Sequence, residues 1–338
     1  MNEESVSASL EAPRQNSALQ AAKNPLFGDH IRLYPLLILV AILGAYIFSM
    51  RAESIFACPA SGYNSDYYLA YCGVKHFGDY DHGAFWFGLE PKVSDSVRSA
   101  EVMFLGSSRM EFAFSTDATK NWFSANSASY YLLGFAYWEN YLFEKQLLDR
   151  LHPQARIYVI NLDTFFENTE TPPARIVMHD RDALSRYEQK HGLERLHFRV
   201  CDAIPALCGL APAYFRSRST GSYIQLGGRH ESIPVTYDEV VNENLVRDYS
   251  ARAAPFLASL PVNSKCVVLT MVPTVNTPSA SGREIARSLG ATFVAPEPDN
   301  LTTRDGSHIS HPSAELWSKA FFEAAGPAIR ECLDKTGP

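Results

Sequence analysis

The sequence has no surplus of positive charge. Its 30 Lys+Arg stand against 37 Asp+Glu, a formal net charge of −7. A basic nucleic-acid-binding face is therefore not expected. No repeat recurs at a fixed period, which excludes a solenoid or propeller. No CxxC pair and no His/Cys cluster at zinc spacing is present, so neither a metal site nor another cofactor is expected. Glycine (19) and proline (20) are ordinary for 338 residues, and 46% of residues are hydrophobic, which excludes a disordered or fibrous chain.

What is there begins with one uncharged run, Leu33 to Met50, reading LYPLLILVAILGAYIFSM. At 1.5 Å per residue it spans roughly 27 Å, close to the hydrocarbon thickness of a bilayer. Arg14, Lys23 and Arg32 precede it, and Arg51 follows. That asymmetry places the N-terminus in the cytoplasm. Residues 33–50 are thus expected to be a transmembrane anchor behind a polar, disordered cytoplasmic tail at 1–32, with the main domain outside the cytoplasm. A buried core helix and a cleaved signal peptide are the rival readings. Ile55-Phe-Ala-Cys58 has the outline of a lipoprotein box, but Arg51 and Glu53 interrupt its apolar run. The six cysteines fit an oxidising compartment, with Cys58 near Cys72 and Cys201 near Cys208 as expected pairs. Cys266 opens a strand and Cys332 lies in the last helix.

Residues 51–95 are aromatic and irregular, a stalk or a cover on the main domain at 96–338. Within that domain, Glu101–Leu105, Tyr130–Leu133, Arg156–Ile160, Cys266–Val272 and Ala291–Val294 read as short apolar strands. Helices are expected at Trp138–Leu151, near 181–192, at Val246–Leu260, at Ser279–Leu289 and from Pro312, where Pro327 breaks or kinks the last one. Residues 167–235 are polar and read as an insertion. Strands apolar throughout, alternating with helices, predict an α/β domain with a mostly parallel five-stranded sheet covered on both faces. Such sheets carry chemistry at the carboxyl ends of their strands.

Those ends are Gly106-Ser107-Ser108, Gly134, Asn161-Leu162-Asp163 and Pro273-Thr274, and two pieces stand out: Gly106-Ser107-Ser108-Arg109 after the first strand, and Asp305-Gly306-Ser307-His308 ahead of the last helix. A serine becomes a nucleophile when a base lies within hydrogen-bond reach and a third group orients that base. Asp305, three residues from His308, can fix the imidazole tautomer.

A Gly-x-Ser after the first strand and an Asp-x-x-His before the last helix resemble the first and last sequence blocks of the SGNH (GDSL-type) hydrolases. The likeness spans roughly residues 100–335. It is nearest to the membrane-anchored, envelope-facing branch, which includes the teichoic-acid D-alanylation and alginate O-acetylation proteins. The resemblance implies a flavodoxin-like three-layer sandwich and acyl transfer to water or another alcohol, with Ser108 as nucleophile, His308 as general base and Asp305 as its orienter. It further implies a bacterial inner-membrane location, a glycan substrate and a multi-spanning membrane O-acyltransferase as partner.

The middle blocks depart from that family. It places a glycine after the second strand and Gly-x-Asn after the third, whose N–H groups form an oxyanion hole. Here Gly134 stands near the first position, and Asn161-Leu162-Asp163 at the second. An ionised Asp163 repels a developing oxyanion, and losing one donor costs ~3 kcal/mol. Arg109 is placed to offset that charge or to hold an anionic acceptor. The departure favours a rival reading, a non-catalytic accessory or glycan-binding subunit that keeps the fold. Ser107 is the alternative nucleophile, with a turn hydrogen bond as its ordinary role. His311 reads as a surface residue, and His179 and Asp180 have no partner pattern. Phe135, Tyr137, Trp138, Phe165 and Phe166 either line a sugar cleft or fill the core. Asn300-Leu301-Thr302 is a glycosylation sequon, relevant only in a eukaryotic secretory host.

Overall fold

The computed structural model describes residues 33–60, 64–228 and 231–334. The tail expected at 1–32 lies outside the described residues. The chain divides into two compact units, Met1–Ile47 and Phe48–Pro338.

In the first unit, helix α1 (Leu33–Glu53) begins. Its large apolar side chains are exposed from Tyr34 to Tyr46, Leu39 and Ile42 each at 62%. Among the described residues, no helix is long and apolar enough to cross a membrane.

The second unit starts with β1 (Tyr67–Cys72), β2 (Gly78–Asp79), α2 (Asp81–Trp86) and α3 (Pro91–Ser99). A regular alternation follows: β3 (Val102–Ser107), α4 (Ser108–Phe114), α5 (Asp117–Ala125), β4 (Tyr130–Phe135), α6 (Tyr141–Leu151) and β5 (Ile157–Asn161). A long excursion then holds α7 (Pro172–His179), α8 (Ala183–Ala203), β6 (Ala213–Ser217), β7 (Tyr223–Leu226), β8 (Ile233–Pro234) and α9 (Glu243–Ser259). The chain ends with β9 (Val267–Thr270), α10 (Ser279–Leu289), β10 (Thr292–Phe293), β11 (Thr302–Thr303) and α11 (His311–Asp334).

The fold is α/β around a five-stranded sheet in the order β10-β9-β5-β3-β4, every neighbouring pair parallel. Its strands are apolar on both faces because both are covered. Along β3, Met103 and Leu105 join Phe143 and Leu147 of α6, Phe256 of α9 and Ile285 of α10. Val102 and Phe104 point the other way, to Phe114 of α4, Phe123 of α5 and Trp317 and Phe321 of α11. The order reverses beside β3, so its carboxyl end and that of β5 open onto the same crevice.

A second sheet, β2-β1-β6-β7, is antiparallel. It joins a strand from the 51–95 segment to strands from the 167–235 segment, with Leu69 opposite Phe215. Cys58 is bonded to Cys72 and Cys201 to Cys208, the pairs their spacing suggested, and a third bond joins Cys266 to Cys332.

Several elements differ from expectation. Gly134 lies inside β4 rather than ending it. α6 starts at Tyr141, not Trp138, because Tyr137 and Trp138 are left-handed (φ 65° and 56°) and Asn140 caps the helix by accepting from Leu142 N–H. α8 runs well past residue 192, its second half burying Glu194, His197 and Cys201. α11 continues through Pro327. A missing N–H there removes one helix bond, while Phe321, Phe322, Ala325 and Ile329 around it stay buried.

Candidate active site

The site starts with the turn out of β3. Gly106 has φ +154°, and a Cβ there would stand 3.0 Å from Met110 Cβ and 3.1 Å from Asn161 Cβ. Only glycine fits where the strand passes into α4. Ser107 caps that helix, its Oγ accepting from Arg109 N–H at 3.3 Å. Its hydroxyl is therefore engaged in the turn. Ser108 is the residue that reaches across: its Oγ lies 3.0 Å from His308 Nε2.

His308 is held by its own loop. Asp305 Oδ1 accepts from the backbone N–H groups of Ser307 (2.9 Å) and His308 (2.7 Å). Asp305 Oδ2 lies 2.7 Å from His308 Nδ1. The loop closes where Arg304 N–H donates to the His308 carbonyl at 2.9 Å. Gly306 supplies the positive φ (+81°) the turn needs. The three-residue spacing thus lets one carboxylate bind both the backbone and the ring of the histidine. Burial pushes the Asp305 carboxyl up, but the hydrogen bonds and charge of His308 outweigh it and hold the group below its ordinary value. With Nδ1–H directed to Asp305, His308 Nε2 is the acceptor for the Ser108 hydroxyl.

Arg109 joins three parts of the crevice. Its guanidinium pairs with Asp163 after β5, and its Nε donates to Ser307 Oγ at 2.9 Å. Burial pushes the Asp163 carboxyl up, and Arg109 pulls it partly back. Asp163 Oδ2 is buried with no hydrogen-bond partner among the described residues. Asn161 ties two strand ends, its Oδ1 accepting from Val272 N–H at 2.9 Å, while its buried Nδ2 has no partner among the described residues. Gly134 departs from the donor role expected of it. Its N–H donates to Glu111 Oε1 at 2.8 Å, so that donor is already spent. Glycine is required there for another reason, since a Cβ would come within 2.8 Å of the Gly106 and Ser107 carbonyl oxygens.

No family model, curated protein or solved structure matches this chain.

The groups that surround the crevice leave little mark on the sequence. Arg216 of β6 is fully buried, donating to Asp81 (2.5 Å), Glu111 (2.7 Å) and the carbonyls of Leu132 and Gly134. It braces α4 and β4 from the second sheet, and its one signal in the sequence is a charge within an aromatic strand. Phe112 packs edge-on against His308, with ring centroids 5.0 Å apart, and Tyr214 packs against Phe112 at 5.5 Å. Phe112 also borders a cleft of about 1100 Å³ lined by Tyr67, Tyr130, Ser217, Ser222, Arg304 and Ile309, among others. Of the aromatic candidates, Phe135, Phe165 and Phe166 are core, and Tyr137 and Trp138 are exposed. His311, His179 and Asp180 lie at the surface facing Glu315, Glu170 and Arg186.

Among the described residues, two groups of potential metal ligands come close together, His197/Cys201/Cys208 and Glu90/His191/Glu194. The disulfide consumes the thiolates of the first, and Arg218 pairs with Glu90 of the second at 2.7 Å.

Proposed function

We propose that this chain is a membrane-anchored serine acyltransferase or esterase of SGNH type, handling O-acyl groups, most simply acetyl, on an envelope or exopolymer glycan. One observation carries the reading: Ser108 Oγ is 3.0 Å from His308 Nε2, and Nδ1 of the same ring is 2.7 Å from Asp305. The parallel strand order, with the site beside the reversal, supports the finer assignment to a flavodoxin-like three-layer sandwich.

The chemistry follows from those three groups. Ser108 Oγ attacks the acyl carbonyl as His308 Nε2 takes its proton. The tetrahedral intermediate collapses to acyl-Ser108, and His308 returns the proton to the departing alkoxide. A glycan hydroxyl or water then gives its proton to His308 Nε2 and attacks the acyl-serine; as the bond from Ser108 Oγ to the acyl carbon breaks, His308 returns that proton to Oγ, which restores both residues. Asp305 keeps the ring oriented and stabilises the imidazolium. Arg109 offsets the Asp163 charge, and Asn161 Nδ2, buried with no partner among the described residues, is a candidate oxyanion donor.

The anchor reading rests on the uncharged run at 33–50 and on the exposed apolar side chains from Tyr34 to Tyr46. Three disulfides support an oxidising, periplasmic or extracellular location for the second unit. A multi-spanning O-acyltransferase in the same membrane is the partner this reading implies.

A fluorophosphonate probe with intact-mass readout tests the enzyme. Wild type should gain one label, Ser108→Ala none, and His308→Ala should lose turnover of a simple acetyl ester with its thermal midpoint within a few degrees. A second reading is favoured by Asp163 and by the commitment of Gly134 N–H to Glu111. It is a non-catalytic accessory or glycan-binding subunit of a membrane O-acyltransferase. Folded wild type that takes no label would select it.

A further inference from the structure

The cleft beside the Ser–His pair contains a cation that the mechanism above leaves idle. Arg304 precedes Asp305, is only 7% exposed, and lines the cleft. Its guanidinium lies over the Phe112 ring at 3.9 Å from the centroid, and that same ring meets His308. Arg304 Nε is buried and has no hydrogen-bond partner among the described residues. The nearest carboxylate is Asp305 Oδ2 at 3.9 Å, beyond hydrogen-bond reach and already engaged by His308 Nδ1. Burial pushes the Arg304 guanidinium down from its ordinary value, with Tyr214 and Asp305 offsetting part of that. A buried guanidinium is normally met by a bidentate carboxylate or phosphate. Here no carboxylate meets it in that way: Asp305 pairs with it only at 3.9 Å, Tyr214 hydrogen-bonds its side chain, and the guanidinium also lines the cleft.

The other charges on the cleft wall leave room for one. Asp66 is engaged by Ser217, Ser219 and Lys92. Lys120 of α5 adds a second, exposed cation, while Asp117 and Glu231 are the remaining carboxylates. Hydroxyls of Ser115, Ser217, Ser222 and Ser310 and the ring of Tyr130 complete a surface suited to a saccharide.

We propose that this cleft is the acceptor subsite, and that Arg304 seats an anionic group, a carboxylate or phosphate, carried by the saccharide whose hydroxyl exchanges the acyl group. The assignment deepens the acyl-transfer reading and rests on it for the word acceptor. The binding site itself stands on Arg304 and the cleft alone. Phe112 separates the anion from the imidazole by one ring, so the charge is held near the reacting hydroxyl without touching His308.

The test is calorimetric titration of the whole protein with three probes: trigalacturonate for the carboxylate, glucose 6-phosphate for the phosphate, and a neutral trisaccharide of galactose. At least one anionic probe should bind more tightly than the neutral one, and which of the two does so identifies the anion. Arg304→Gln should weaken that anionic probe at least tenfold and leave the neutral one within twofold. Because Arg304 is buried, the surface change Lys120→Glu provides a second reading and should weaken the same probe about threefold. Equal binding of anionic and neutral probes, no binding of any probe, or unchanged affinity in Arg304→Gln would overturn the proposal. Fluorophosphonate labelling of Ser108 in the same preparations keeps the two ideas apart. Labelled protein without anion preference refutes only the subsite. Unlabelled protein with an Arg304-dependent preference refutes the enzyme and leaves an anionic-glycan-binding module.

Discussion

Arg109→Ala isolates the pair that replaces the expected Asn. The Asp163 side chain is 10% exposed and that of Arg109 17%, so most of the pair is out of water. Removing the guanidinium leaves a carboxylate whose Oδ2 already has no hydrogen-bond partner among the described residues. Breaking a buried pair from one side costs about 3–5 kcal/mol, and the residual exposure places this case near the low end. At roughly 2–4 °C per kcal/mol, the thermal midpoint at pH 7 should fall by roughly 6–12 °C. The pH dependence has a definite sign. Burial holds the Asp163 pKa above its ordinary value even with Arg109 present, and it rises further without it. A carboxyl whose folded pKa lies above its unfolded one destabilises the fold at high pH, and the penalty vanishes as pH falls through the folded pKa to the unfolded value near 4. The deficit of Arg109→Ala should therefore be largest at pH 7 and fade toward pH 4. Asp163→Asn in the same background should recover most of it. Urea and thermal midpoints of wild type, Arg109→Ala and the double variant from pH 4 to 8 measure both effects. A deficit that stays constant over that range, or that the second substitution does not relieve, refutes the reasoning.

Two further outcomes are expected. The Cys266–Cys332 bond closes a separation of 66 residues and the Cys201–Cys208 bond one of 7, so the chain-entropy account assigns them about 4 and about 2 kcal/mol; paired Cys→Ser variants compared by urea midpoint should fall in that order, and the reverse order would show that the loop-closure account fails here. His82 is fully buried between Asp79 and Glu139, and although burial opposes its charge, those carboxylates raise its pKa to about 10. Its folded pKa lies above its unfolded value, so its contribution is complete below about pH 6.5 and is lost as pH rises toward 10. Stability should decline across that window, and His82→Gln should flatten the decline; an unaltered slope in the variant would remove His82 as its cause.

The parts of the fold legible in the sequence are those built from local signals. Val102–Leu105, Tyr130–Leu133 and Ile157–Ile160 are short apolar runs with no polar face, a pattern that suits a strand covered on both sides. Ser279–Leu289 was readable to the residue because its apolar positions recur at helical spacing and Gly290 ends it in the left-handed region. The meeting of Ser108 with His308 was legible from the likeness of their two sequence blocks and not from strand geometry alone, since Ser108 follows β3 of the parallel sheet whereas His308 follows β11, which pairs with β8 outside it.

What stayed hidden depends on contacts between distant segments. Nothing near Tyr67–Cys72 says that it pairs with Ala213–Ser217, because antiparallel partners leave no mark on each other's periodicity. Arg216, Tyr214 and Arg304 reach the crevice only once that pairing and the loop before α11 have formed. The same limit explains Asp163. Read as one position, an acid where a donor is expected argues against oxyanion stabilisation. Read with Arg109, it is half of an ion pair that ties the loop after β5 to the helix bearing Ser108, while Ser307 ties the same guanidinium to the histidine loop. The side chain that looked like a defect in one block thus shares its guanidinium with the two loops that bring Ser108 and His308 together. In the proposed acyl transfer, the effect of Asp163 is therefore the effect of that triangle, in which Arg109 binds Asp163 and Ser307 together.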